Sequence, residues 1–268
     1  MPEKLKENAI FANRYKLVDF VGNGKCTEVW HAFDTLANVN VAIKFYITDT
    51  IIDDVTRKYA MVFDINHTNI LHPIYVGIYD EMVYIIMQYC KNGNLAGLIT
   101  DKEGLKEETC WKVLHDVSAG IAHLHALHPP ILHLDIKPDN ILIQENGCYM
   151  ITDFGISDYF DENNVKIVNG TLAYMAPERF VEKNPPVKAN DIWSLGAMMF
   201  EIMSMGDLPF GELGGSLQSP TDSIPQISDK YSKDLKQIVY KCLSYYAWER
   251  PIAKDIEAYS YQKLLCDK

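Results

Sequence analysis

The chain has 268 residues, room for one large domain or two lobes, and a net charge of −11, which argues against nucleic-acid binding because that rests on Lys and Arg neutralising phosphates. No apolar run approaches the roughly 20 residues of a membrane helix, and the charged start, residues 1–8, lacks an apolar signal core. Six cysteines occur singly with no Cys-x-x-Cys pair, as expected of reduced thiols in a cytoplasmic protein.

In chain order, residues 1–12 read as a polar leader. Strands are predicted at 15–18, 28–32 and 39–45, where β-branched and aromatic residues lie between turn residues. Residues 53–65 follow a helical period, with Val55, Tyr59, Val62 and Ile65 as an apolar stripe. Strands resume at 74–79 and 82–87 around Asp80-Glu81. The character then changes. Cys110, Val113, Leu114, Val117, Ile121 and Leu124 mark one face of a helix over roughly 107–127, stopped by Pro129-Pro130. Residues 192–204 are apolar almost all round and predict a buried helix; 231–245 and 252–265 predict two amphipathic ones. The Gly/Ser/Pro-rich segment 211–225 is read as one long loop. The pattern is α+β: a small strand-rich lobe, a short connection near 88–94, and a larger helical lobe.

Chemistry concentrates in a few segments. Gly22-Asn23-Gly24-Lys25-Cys26-Thr27-Glu28-Val29 lies between two predicted strands, where glycines let backbone N–H groups approach phosphates; alone it reads equally well as a hairpin turn. Lys44 ends the strand segment Val41-Ala42-Ile43-Lys44. The stretch His133-Leu134-Asp135-Ile136-Lys137-Pro138-Asp139-Asn140 is followed thirteen residues later by Asp153-Phe154-Gly155. Asp135 can accept a proton from a hydroxyl, and Lys137 can offset charge on a phosphoryl group in flight. Asn140 and Asp153 are hard oxygen ligands of the kind Mg²⁺ prefers. Phosphoryl transfer needs mostly positioning and charge neutralisation, which such a set supplies. His123 and His125 are two apart on a predicted helix and point to different faces, which argues against a zinc pair.

Together with Gly170-Thr171-Leu172-Ala173-Tyr174-Met175-Ala176-Pro177-Glu178, Asp191-Ile192-Trp193-Ser194-Leu195-Gly196 and Arg250, these segments resemble the catalytic domain of eukaryotic-type serine/threonine protein kinases. The likeness spans about residues 14–260, and the glycine loop is similar to that of bacterial members. The resemblance implies a bilobal protein-kinase-like fold: an antiparallel N-lobe sheet with one helix over 13–89, and a mainly helical C-lobe over 90–266. It implies ATP and Mg²⁺ as cofactors and protein substrates with Ser/Thr acceptors. Under it, Val21, Gly22, Gly24, Val29 and Ala42 would cover the nucleotide, Lys44 would hold the α- and β-phosphates, and Leu142 would lie below the adenine. Met87-Gln88-Tyr89-Cys90 would be the connector, with adenine bonded to backbone at Gln88 and Cys90. Asp135 would deprotonate the acceptor hydroxyl, Lys137 would stabilise the γ-phosphoryl, and Thr171 would bridge the two. Asp153 and Asn140 would bind Mg²⁺, Asp191 would support the catalytic loop, Arg250 would pair with Glu178, and His133 would pack against Phe154.

Two residues depart from the pattern. Leu134 stands where most of the family has the Arg that binds an activation-loop phosphate, and between Asp153 and Thr171 the only hydroxyl residues are Ser157 and Tyr159, with none over 161–169. No phosphorylation switch is therefore expected in that loop. There is also no glutamate between Lys44 and His67. Counting back from His67-Thr68-Asn69-Ile70 puts Lys58 at the position of the glutamate that orients the strand lysine, and Asp54 is the candidate substitute one turn earlier. Control is expected to act on the helix at 53–65, through a regulatory partner. The competing reading is a pseudokinase, a nucleotide-binding regulatory or scaffold module.

Overall fold

The computed structural model describes residues 5–24, 26–47, 52–99, 103–160, 170–181 and 184–266. The chain divides into two compact units, residues 1–66 with 71–91 and residues 67–70 with 92–268.

The first unit is a six-stranded antiparallel sheet built from β1 (Ile10–Phe11), β2 (Tyr15–Gly24), β3 (Thr27–Asp34), β4 (Val39–Tyr46), β5 (Tyr75–Tyr79) and β6 (Met82–Gln88), with α1 (Ile52–Ala60) between β4 and β5. The strand order is β1-β2-β3-β4-β6-β5. Alternation decides the faces. Leu17, Trp30, Ala32, Val41, Ile43, Phe45, Tyr84 and Ile86 pack into one core. Their chain neighbours Val29, Ala42, Lys44, Ile85 and Met87 take the opposite face. The segment read as a polar leader ends in β1, where Phe11 is 7% exposed and meets Phe45 and Tyr84 edge-on. The helix expected over 53–65 stops at Ala60. Beyond it Val62 N–H donates to Tyr59 O and Phe63 N–H to Ala60 O, so tightened turns carry Val62 and Ile65 inward without further helix.

The second unit is mainly helical. Its helices are α2 (Glu107–Ala126), α3 (Lys188–Met203), α4 (Lys233–Cys242) and α5 (Ala253–Cys266), and its short strands are β7 (Ile131–Leu132), β8 (Ile141–Ile143), β9 (Tyr149–Ile151) and β10 (Asp158–Tyr159). β7 pairs with β10 and β8 with β9. α3 is buried along nearly its whole length, as its all-round apolar sequence requires. It begins at Lys188, four residues before the predicted start, because Asn190 Oδ1 accepts the Val187 N–H and caps the first turn. α4 begins one residue after Ser232, whose hydroxyl accepts the Leu235 N–H.

The segment 211–225 is not one loop. Gly211–Leu217 forms tight 3-10 turns that pack on residues 172–177, and Gly215 N–H donates to Met175 O at 2.9 Å. Gly214 has φ +52°, and a Cβ there would overlap the Leu172 carbonyl oxygen; at Gly215 it would overlap Pro177. The glycines signal close backbone approach rather than slack. No described helix is long and apolar enough to cross a membrane.

Candidate active site

The loop after β7 hangs from one buried carboxylate. Asp191 on α3 accepts the His133 N–H on Oδ2 (3.0 Å) and the Leu134 N–H on Oδ1 (2.7 Å). His125 Nε2 lies 2.8 Å from the same Oδ2. Burial disfavours the Asp191 charge, but the His125 bond and charge and the Leu134 N–H hold its pKa below the ordinary carboxylate range. Leu134 takes φ +66°, a conformation costly for a branched side chain, and the two bonds to Asp191 hold it there. His133 is wholly buried: its Nδ1 accepts the Asp135 N–H, so the ring proton stands on Nε2 and is donated to Thr152 O at 3.0 Å. Phe154 meets the His133 ring edge-on at 5.0 Å.

Asp135 is thereby delivered into a closed set of bonds. Thr171 Oγ1 donates to Asp135 Oδ1 (2.9 Å) and accepts from Lys137 Nζ (2.6 Å), and Lys137 Nζ lies 2.9 Å from Asp135 Oδ2. Asn140 Nδ2 donates to both Asp135 O (2.8 Å) and Asp135 Oδ2 (2.9 Å). Because both partners are acceptors, the Asn140 amide nitrogen must face Asp135, which turns Oδ1 away as a ligand. Asp153, at φ +65°, follows Thr152, whose N–H donates to Asn140 O. One amide oxygen and one carboxylate, on chain segments tied directly together, fit the way Mg²⁺ is held when substrate phosphates and water complete its shell.

Behind the loop, Arg250 donates to Glu178 through both guanidinium arms, at 2.6 and 2.8 Å, and also to Ala189 O, Ser244 O and Tyr245 O. Tyr174 OH donates to Glu201 at 2.7 Å, and Ser194 Oγ donates to Tyr174 O. Burial, with the charges of Asp139 and Glu212, pushes the Glu201 carboxyl up to about 7 against the Tyr174 bond.

In the sheet unit, register sets Gly22 opposite Val29, Val29 opposite Lys44, Lys44 opposite Ile85, and Ala42 opposite Met87. Lys44 is buried and its ammonium stands 5.6 Å from the Tyr46 ring. Gly22 has no heavy atom within 4 Å of where a Cβ would stand, and Val21 and Gly24 are exposed, so this edge is open for a ligand to approach the backbone. Lys25 lies outside the described residues. Gln88 is exposed and Cys90 buried, with burial pushing its thiol pKa up. Leu142 lies in β8 of the helical unit, half-buried beside Asn94. On α1, Asp54 Oδ1 takes Arg57 (3.0 Å) and Oδ2 takes Lys58 (2.8 Å), so both oxygens of the candidate substitute are engaged within its own helix.

Two supporting residues escaped the sequence reading. His125 was weighed only as a zinc ligand, yet it braces Asp191. Ser157 was read only as a hydroxyl near the anchor; it is wholly buried, with Oγ donating to His133 O.

A family model described as "Protein kinase domain" matches residues 15–262. The serine/threonine-protein kinase PrkC of Bacillus subtilis (strain 168) is 29% identical over 262 residues, 92% of this chain and 40% of that protein. The serine/threonine-protein kinase fray1 of Dictyostelium discoideum is 31% identical over 262 residues, 91% of this chain and 45% of its own length. The probable serine/threonine-protein kinase PknB of Lactococcus lactis is 28% identical over 232 residues, 81% of this chain and 36% of its own length. The chain thus spans less than half the length of these relatives. With the match covering nearly its whole length, the chain belongs to the protein kinase domain family.

Proposed function

We propose that the chain is an active serine/threonine protein kinase that transfers the γ-phosphoryl group of ATP to Ser or Thr hydroxyls of proteins. Residues 13–89 serve as its nucleotide lobe and 90–266 as its transfer lobe. The observation that carries this reading is the closed set around Asp135, in which Thr171 links the candidate base to Lys137. The Asp135 carboxylate already takes bonds from Thr171, Asn140 and Lys137. As substrate arrives, Lys137 leaves Asp135 for the γ-phosphoryl, and the acceptor hydroxyl takes its place. Asp135 then receives the hydroxyl proton while the oxygen bonds to phosphorus and ADP departs. Mg²⁺, held by Asn140 and Asp153, supplies neutralisation of phosphate charge when bound. Lys44 holds the α- and β-phosphates.

The absence of a phosphate switch belongs to the same proposal. Leu134 cannot bind a phosphate, and the Ser157 hydroxyl is sealed in the interior. The segment 161–169 lies outside the described residues. Phosphopeptide mapping with phosphatase treatment tests this: a loop phosphate whose removal stops activity would overturn it. Nucleotide binding without transfer is the second reading, favoured by the engagement of Asp54 with Arg57 and Lys58. Transfer of radiolabel from ATP to generic protein substrates, abolished by both Asp135→Asn and Asp153→Asn, is the result expected of the enzyme. Tight ATP binding with no transfer would establish the alternative.

A further inference from the structure

His31 lies on β3 directly between Asp19 of β2 and Ala42 of β4, and Ala42 faces Met87 of β6. It therefore occupies the same sheet face as Val29, Ala42 and Lys44. Both of its ring nitrogens are engaged: Nδ1 is 3.1 Å from Asp19 Oδ2 and Nε2 is 2.8 Å from Asn40 Oδ1. The imidazole so fixed stacks on the Tyr89 ring, with centroids 4.0 Å apart and planes 9° from parallel.

Tyr89 is the residue between Gln88 and Cys90. The Gln88 carbonyl and the Cys90 N–H belong to the peptide groups on either side of its Cα, so φ and ψ of Tyr89 set the angle between that acceptor and that donor. A planar base that bonds to both needs them in one plane. Clamping the Tyr89 side chain against a ring anchored on two other strands removes the freedom that would let the pair turn apart. We infer that His31 and Tyr89 form a clamp that presets the connector for a purine base, with His31 as a positioning residue that touches no ligand. This inference rests on the nucleotide-binding reading of residues 88–90.

Adenosine and ATP binding to the whole chain, measured by titration calorimetry, tests it. His31→Ala and Tyr89→Ala should each weaken both ligands about 3- to 10-fold, as expected for loss of one aromatic pair. The double variant should weaken them no further than either single one, because the two rings act as a unit. Tyr89→Phe, which keeps the stacked ring, should bind like the native chain. Equal loss for adenosine and ATP separates the clamp from a general loosening around Lys44, which would cost ATP more. Unchanged affinity in both alanine variants, or additive losses in the double variant, would overturn the clamp while leaving nucleotide binding intact. A native chain that binds neither ligand would overturn the nucleotide reading and the clamp with it.

Discussion

In the helical unit, Asp135 receives bonds from Thr171, Lys137 and Asn140, and its loop hangs from Asp191 by two backbone N–H groups. In the sheet unit, strand register places Lys44 between Val29 and Ile85, while on α1 Asp54 pairs with Arg57 and Lys58. The first site is held redundantly by directional bonds to one carboxylate and its loop. In the second, we propose that Lys58 stands where the resemblance to protein kinases calls for a glutamate. Under the proposed function, the site around Asp135 is the fixed part and α1 the part open to control.

The redundancy of the helical unit can be broken at its base. The Arg250 side chain is fully buried and that of its partner Glu178 is 19% exposed. Arg250→Ala should destabilise this unit by about 3–5 kcal/mol, the usual cost of stranding one member of a buried pair, and thermal unfolding will read it. His125→Leu comes next. It removes one of three groups held by the Asp191 carboxylate and should cost about 2–3 kcal/mol. The lowered Asp191 pKa means that its stabilisation is complete above the ordinary carboxylate range and is lost as pH falls through the lowered value. Without His125 that value rises, so acid unfolding should begin at higher pH. Hydrogen exchange at the His133 and Leu134 amides should quicken in the same variant. An unchanged exchange rate would show that Asp191 holds the loop without help from His125.

How much of this could be read from sequence depends on how each contact is encoded. Thr171, Asp191 and Arg250 sit in short segments that resemble protein kinase motifs, and that resemblance implies their partnerships. The five longer strands of the sheet unit were legible from β-branched and aromatic runs between turn residues, whereas β1 and the two- and three-residue strands of the helical unit were too short to stand out. The role of His125 was not legible, because its bond spans 66 residues and it stands in none of those motif segments. The turns at Gly211–Leu217 were hidden by composition, since glycines that admit a close backbone look the same in a sequence as glycines that permit slack. The end of α1 was hidden because Val62 and Ile65 keep a helical period while lying past the helix.

Glu201 in the helical unit is shifted in the opposite direction from Asp191. The Glu201 pKa is raised to about 7 by burial and by Asp139 and Glu212. The folded state therefore binds a proton that the unfolded state has released, and stability falls as pH rises from the ordinary carboxyl range to about 7. Glu201→Gln keeps an acceptor for Tyr174 and removes this dependence. It should stabilise the protein by about 1 kcal/mol at pH 8, allowing for solvent screening of a partly exposed group, and by nothing at pH 4. Melting curves across that range check it, and equal gains at both ends would mean that folding does not raise the Glu201 pKa.

The smallest stability effect carries the sharpest test of the comparison. Asp54→Asn breaks two pairs on a partly exposed helix face, worth a few tenths of a kcal/mol each. The melting temperature should scarcely move, and the turnover rate for a phosphate acceptor should stay within about twofold, the scale of such pairs. Lys58→Glu changes stability by a similar amount but places a carboxylate where the resemblance expects the lysine-orienting glutamate. If the helix limits the lysine, that variant should turn over about tenfold faster, the gain from roughly 1.4 kcal/mol of improved charge orientation. A marked loss of rate in Asp54→Asn instead would assign the lysine-orienting role to Asp54 despite its engagement with Arg57 and Lys58. Equal rates in all three proteins would mean that neither residue governs Lys44, and the contrast between the two units would fail.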